Sequence, residues 1–216
     1  MSTDNGPVKV IRHPDGVVEL LLDDAENGNG LNLDSAQALR AAANAIAADP
    51  GGAVLVRAAG RNFCVGGDLR AFAAQGADVG PYVHEVATAA SAAIEVLYGL
   101  PVPVVTAVQG AAAGGGIGLA LVGDLVLAAE SAKFRLAYTA IGVTPDCGAS
   151  WLLPRQIGPK RALDLLLTNR TLTAAQAENW GLVSKVVGDG ELGAAARALA
   201  ASLAAGPAAA AFAATK

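Results

Sequence analysis

Aromatic residues make up only 4% of this 216-residue chain, and charged residues only 16%. With 53% apolar residues, the core must be filled by alanine and small aliphatics. Such a composition suits elements that approach closely rather than large hydrophobic blocks. Lys and Arg form no run, and the formal charge is −4. That excludes a polybasic surface for nucleic acid or for a membrane. The two cysteines, Cys64 and Cys147, are too few for a disulfide framework, so reduced thiols of a cytoplasmic protein are expected. Gly, Pro or a charge interrupts every stretch that approaches about 18 apolar residues, so no membrane-crossing helix is expected. The opening residues MSTDNGPVKVIRHPDG lack the apolar stretch of a secretory leader. No group of His, Cys, Asp or Glu has metal-ligand spacing, and no metal is expected.

What remains is a chain of strands and helices punctuated by 26 glycines. Its length suits one sizeable core. VKVIRH and VVELLLD read as strands around a PDG turn. The segment LNLDSAQALRAAANAIAADP reads as a helix with Asp34 as N-cap, ending at Asp49–Pro50. AVLVRAAG is a short buried strand, and RNFCVGGDLRAFAA a glycine-containing loop that leads into a helix. YVHEVATAASAAIEVLYGL is a long helix closed by Pro101. PVPVVTAVQG and LVLAAESAKFR each read as one strand, separated by a glycine turn and a buried helix. Residues 149–187 hold three short helical segments and a last strand. The alanine-rich tail is a helix broken at Gly206–Pro207. Strands separated by helices make the class α/β.

The stretch VQGAAAGGGIGLALVGD puts three glycines, Gly114 to Gly116, where a strand hands over to a helix. A phosphate loop would need a lysine that is absent. A dinucleotide fingerprint fails at Leu119 or, counted from Gly116, at Leu121. What is left is a helix N-terminus stripped of side chains. Its free N–H groups and positive dipole end can hold a negative oxygen. Close packing of strand on helix explains the same glycines equally well. A second strand-to-helix turn, AAGRNFCVGGDL, carries Gly66–Gly67. Two such turns can aim two N–H donors at one oxygen, which is the requirement of an oxyanion hole.

These residues carry a resemblance. AAGRNFCVGGDLRAF resembles the A-G-x-x-F-[CS]-x-G-x-D-[LI] loop of the crotonase (enoyl-CoA hydratase/isomerase) superfamily. PVPVVTAVQGAAAGGGIGLALVGDLVLAAESAKF resembles its second glycine segment, and NWGLVSKVV a segment near the end of its core. The resemblance implies an α/β crotonase spiral of β-β-α units over residues 1–190. Residues 191–216 would begin a helical C-terminal segment that is shorter than in the family. It also implies homotrimers or dimers of trimers. An acyl-CoA thioester would be the substrate, so that coenzyme A arrives with the substrate and no separate cofactor is needed. By position it assigns the oxygen-holding N–H groups to Gly67 and Gly115. Gly114 would let the thioester approach. Leu31, Cys64, Gly66, Asp68 and Leu69 would line the coenzyme A path.

The chain also departs from the family. Hydratases place one glutamate three residues after the middle glycine and another twenty residues later. Here Gly118 and Tyr138 stand there, and neither supplies a carboxylate base at neutral pH. One carboxylate remains nearby, Asp146 in IGVTPDCGASWLLPRQIG. That segment resembles the 1,2-epoxyphenylacetyl-CoA isomerase branch, in which the aspartate is the acid/base. It also resembles 4-chlorobenzoyl-CoA dehalogenase, whose helical histidine falls at Ser91. His84 lies seven residues, about two turns, too early to replace it. The expected chemistry is double-bond isomerisation, with Asp146 moving the proton and Tyr138 and Trp151 as walls for the acyl group. Hydration, thioester hydrolysis, aryl-CoA dehalogenation and non-catalytic binding of acyl-CoA stay open. Asp146 is also placed to act as N-cap of the helix that follows, a role that does not exclude catalysis.

Overall fold

The computed structural model describes residues 2–206 and 209–216. Its strands are β1 (Ser2–Asn5), β2 (Val8–Arg12), β3 (Val17–Leu22), β4 (Ala53–Ala58), β5 (Val104–Val108), β6 (Ala111–Ala113), β7 (Leu125–Ala129), β8 (Lys133–Arg135), β9 (Leu172–Thr173) and β10 (Lys185–Val187). Its α-helices are α1 (Leu33–Ala48), α2 (Leu69–Ala73), α3 (Val79–Tyr98), α4 (Gly115–Ala120), α5 (Ala149–Ile157), α6 (Pro159–Thr168), α7 (Ala174–Asn179), α8 (Leu192–Ala204) and α9 (Ala209–Thr215).

Seven strands form the main sheet in the order β1-β2-β3-β4-β5-β7-β10. β1, β2 and β3 pair antiparallel, and every pairing from β3 to β10 is parallel. Parallel strands are covered on both faces and so read as near-continuous apolar runs; all six residues of β3 are buried. Side chains alternate between the faces. Val18, Leu20, Val54 and Val56 join the larger core, with Leu39 and Ile46 of α1 and Ala90 and Ile94 of α3. Val17, Leu55 and Val105 pack on the other side with Leu192, Ala196 and Ala200 of α8. The scarcity of aromatics shows in the contact of α1 with α3, whose buried faces carry Ala42 and Ala43 on one helix and Ala89, Ala90 and Ala93 on the other.

A small second sheet, β6-β8-β9, stands beside the first. It exists because LVLAAESAKFR is two strands rather than one. The chain turns after Ala129, where Ala132 N–H bonds back to the Ala129 carbonyl. β7 then stays in the large sheet, while β8 pairs with β6 in register Ala113↔Arg135. That pairing fixes the strand end from which Gly114 departs.

One smaller expectation changes. α1 is capped by Asn32, not Asp34. Asn32 Oδ1 accepts from Ser35 N–H, and Ser35 Oγ accepts from Asn32 N–H, both at 2.9 Å. A reciprocal cap uses residues three apart, which leaves Asp34 free in the first turn. In the tail, α8 ends at Ala204 and α9 begins at Ala209; Pro207 of the expected break lies outside the described residues. Among the described residues, no helix is long and apolar enough to cross a membrane.

Candidate active site

The first glycine turn follows β4. Phe63 and Cys64 are fully buried there, and Cys64 pairs with Ala112 of β6. Gly66 then takes φ +85°, and a Cβ on it would stand 2.7 Å from the Ala113 carbonyl oxygen. The two glycine turns therefore touch through their main chains. Leu31 N–H donates to the Gly66 carbonyl at 2.8 Å, and Asp68 N–H donates to the Leu31 carbonyl at 2.9 Å. The Gly67 N–H between them donates to no protein acceptor among the described residues.

The second turn is as tightly made. Gly114 leaves β6 with φ +48° and ψ −125°, a backbone state that a side chain opposes. Gly115 opens α4, so its N–H has no partner within the helix and finds none elsewhere among the described residues. A Cβ on Gly115 would meet Leu31 Cδ1 at 2.9 Å and Cys147 Sγ at 3.0 Å. One on Gly116 would strike the Cys64 carbonyl oxygen, and one on Gly118 the Cys147 carbonyl oxygen. The place where a hydratase glutamate would stand is thus filled by main chain of the Asp146–Cys147 segment.

Gly67, Gly115 and Asp146 line one cavity of about 120 Å³. Leu31, Gly66, Leu69, Gly114 and Tyr138 line it too. α3 contributes Val83, Val86, Ala87 and Ala90, spaced to share one helix face. Leu69 and Ile141, both about half exposed (53% and 49%), form an apolar rim. Asp146 is half-buried. Its side chain does not cap α5, whose N-cap is Gly148 with no side-chain bond; the residue lines the cavity, and its carboxylate lies against the Tyr138 hydroxyl and the Cys147 thiol. Tyr138 Oη donates to the Asp146 carbonyl at 3.3 Å. Burial, and then the Asp146 charge, pushes the Tyr138 hydroxyl and the Cys147 thiol far up. Both stay protonated near neutral pH, so neither is a base or a thiolate nucleophile. Burial alone lifts Cys64 to about 11.

Three residues expected at the site stand away from this cavity. Cys64 lies behind its wall, fully buried against Gly116. Asp68 turns its carboxylate into α2, where Oδ1 accepts from Arg70 N–H at 3.0 Å and Ala71 N–H at 3.1 Å. Trp151 lies in a separate groove of about 410 Å³ with Tyr98 and Ser91. Its face carries the Arg155 guanidinium 3.8 Å from the ring centroid. α5 turns Trp151 outward, while Leu152 and Leu153 face the core. His84 is exposed and does not line the cavity. Asp124 is structural: its Oδ2 accepts from Val104 N–H at 2.8 Å and pairs with Lys216. The α3 face was missed as a cavity wall, although Val83, Val86 and Ala90 carry the helical apolar spacing that signals a buried face. Among the described residues no His, Cys, Asp and Glu group is placed to hold a metal ion.

The stacked β-β-α frame and the paired glycine turns define a crotonase fold. Residues 12–216 match the family described as Enoyl-CoA hydratase/isomerase, and the chain belongs to that family. It is 40% identical over 202 residues to a Rhodobacter capsulatus protein named "Probable enoyl-CoA hydratase", covering 94% of this chain and 77% of that one. It is 43% identical over 155 residues to the 1,2-epoxyphenylacetyl-CoA isomerase of Escherichia coli, covering 71% of this chain and 59% of that protein. This chain thus spans less than two thirds of the isomerase's length. A crystal structure of an enoyl-CoA hydratase from Mycobacterium avium subsp. paratuberculosis superposes with a TM-score of 0.87 at 34% identity, covering 99% of this chain and 84% of that one.

Proposed function

We propose that this chain is an acyl-CoA isomerase that shifts a carbon–carbon double bond through an enolate. The thioester oxygen rests between the N–H groups of Gly67 and Gly115. Asp146 takes a proton from the carbon next to the thioester, and negative charge moves onto the oxygen. The proton returns to the carbon two bonds further along as the double bond moves. Preorganised N–H donors act where the charge develops, and removing one typically costs about 3–4 kcal/mol of transition-state stabilisation. The single observation that supports the reading is that Gly67 and Gly115, whose main-chain N–H groups have no acceptor among the described residues, line one largely apolar cavity together with Asp146.

Isomerisation needs one carboxylate, and hydration by the resembling enzymes uses two. Here the first glutamate position is closed by the Cys147 carbonyl at Gly118. The second holds Tyr138, whose hydroxyl burial keeps neutral. The coenzyme A portion would leave over the rim near Leu31, Gly66 and Leu69. An assembly of three copies is part of the same proposal and is read by light scattering.

The test is Asp146→Asn assayed on a panel of 3-enoyl-CoA esters and ring-type acyl-CoAs, with products weighed by mass spectrometry. Loss of a general acid/base costs about 10²–10⁴-fold, so kcat should fall by about 10³. Full isomerase activity in the variant, or a wild-type product heavier by one water, overturns the reading.

A further inference from the structure

The peptide that joins Asp146 to Cys147 is held at both ends. Its carbonyl, belonging to Asp146, accepts from Ala149 N–H at the start of α5 at 2.9 Å and from Tyr138 Oη at 3.3 Å. Its N–H, belonging to Cys147, donates to Ser91 Oγ at 3.3 Å. One hydroxyl comes from the chain beyond β8, the other from the middle of α3, so the peptide is also held from two separate elements. The next carbonyl, that of Cys147, presses on α4 where Gly118 has no side chain. Cys147 itself takes φ +48°, a state that non-glycine residues avoid unless surrounding contacts impose it. No side-chain cap from α5 steadies the segment.

We propose that Ser91 and Tyr138 are positioning residues that hold the Asp146–Cys147 peptide and so aim the Asp146 carboxylate at the cavity. The proposal rests on the reading of Asp146 as the acid/base. The Tyr138 hydroxyl adds a second donor to the Asp146 carbonyl, beside Ala149 N–H, and the Ser91 hydroxyl supplies the acceptor for Cys147 N–H. Tyr138 keeps its proton because burial opposes ionisation, so its grip persists across the working pH range. A carboxylate that swings by about 1 Å loses its alignment with the reacting carbon, and such misplacement costs up to about 100-fold in rate.

Ser91→Ala, Ser91→Thr and Tyr138→Phe in the full chain test this beside Asp146→Asn. Two readouts are taken: isomerisation kinetics, and hydrogen exchange of the Cys147 amide by NMR. Ser91→Ala and Tyr138→Phe should each lower kcat about tenfold, the worth of one hydrogen bond, with KM within about twofold. Ser91→Thr, which keeps the acceptor, should recover most of the rate. The Cys147 amide should exchange at least about tenfold faster in Ser91→Ala, with global Tm unchanged. Wild-type kcat in both single variants while Asp146→Asn is inactive overturns the grip and leaves the isomerase reading standing. A higher KM at unchanged kcat also overturns it. Should Asp146→Asn keep full activity, the isomerase reading falls instead. Amide exchange then decides the grip by itself: unchanged exchange in Ser91→Ala overturns it, and faster exchange supports it.

Discussion

The two glycine turns and the loop facing them across the cavity are built in opposite ways. At Gly66, Gly116 and Gly118 an added Cβ would meet main-chain oxygen of a neighbouring segment. Backbone lies against backbone there, and no side chain fits. Between Ala137 and Asp146, before the Cys147 carbonyl that meets Gly118, the packing is looser. An added Cβ on Gly142 would meet nothing within 4 Å, Ile141 is half exposed, and the chain is bracketed by two non-glycine residues at positive φ, Ala137 (+57°) and Cys147 (+48°). The turns present main-chain N–H groups whose positions follow from strand pairing and close packing. The loop presents side chains, Tyr138 and Asp146, whose positions follow from a few hydrogen bonds. In the proposed reaction the turns hold the thioester oxygen, and the loop decides what happens to the acyl chain.

The largest effect that would break this comparison comes from putting a hydratase carboxylate back. Gly118→Glu places a Cβ on the Cys147 carbonyl, and a rigid main-chain atom cannot step aside as a side-chain end does. We expect about 3–4 kcal/mol of lost stability in urea unfolding, in the upper range of overpacking effects, and no gain of hydration. A stable Gly118→Glu protein that hydrates a 2-enoyl-CoA would show that the loop yields to the glycine helix rather than filling its space.

Alkaline unfolding sharpens the glycine side. Cys64 packs against Gly116, and burial lifts its thiol from 9.0 to about 11. A raised acid pKa means that the folded state keeps a proton which the unfolded chain has already released. Its contribution to stability is complete below pH 9 and is lost as pH rises from 9 to about 11. Two units correspond to about 3 kcal/mol. Cys147 and Tyr138 shift in the same direction and steepen the fall. Cys64→Ala should flatten the decline measured by denaturant unfolding between those pH values. An unchanged slope would mean that the thiol under the first turn reaches solvent.

Much of the glycine side could be read before the fold was known, because it depends on what side chains cannot do. The spacing of Gly66–Gly67 and Gly114–Gly116 after apolar strands points to two helix starts, and both stand where expected. The loop side was less legible. Asp146 could be singled out as the one carboxylate near the site, but its exclusion from capping depends on Gly148 taking that place. Asp68 and Trp151 carried the right residue types for a site and were diverted by local geometry, one into a helix cap and one onto an outer face. The resemblance put Ser91 where a dehalogenase histidine would fall, but its bond to Cys147, 56 residues away, is a long-range pairing that no local pattern encodes. The split of LVLAAESAKFR was hidden for a similar reason: both halves are good strands, and only the second sheet decides which partner each takes.

The smallest effect asks whether the frame behind the turns is as stiff as the comparison requires. Asn32 caps α1 and sits next to Leu31, whose main chain holds both Gly66 and Asp68. Asn32→Ala removes the Oδ1 acceptor and should cost about 1 kcal/mol in unfolding free energy. The bonds from Leu31 to the first glycine turn do not involve the Asn32 side chain. They should hold the Gly67 N–H in place, so kcat should stay within about twofold, far less than the rate loss of one missing oxyanion donor. Urea unfolding and steady-state kinetics on one preparation separate the two quantities. A tenfold fall in kcat, accompanying only the expected loss of stability, would mean that the turn moves with the helix end, and that the backbone side of the cavity is no more fixed than the loop opposite.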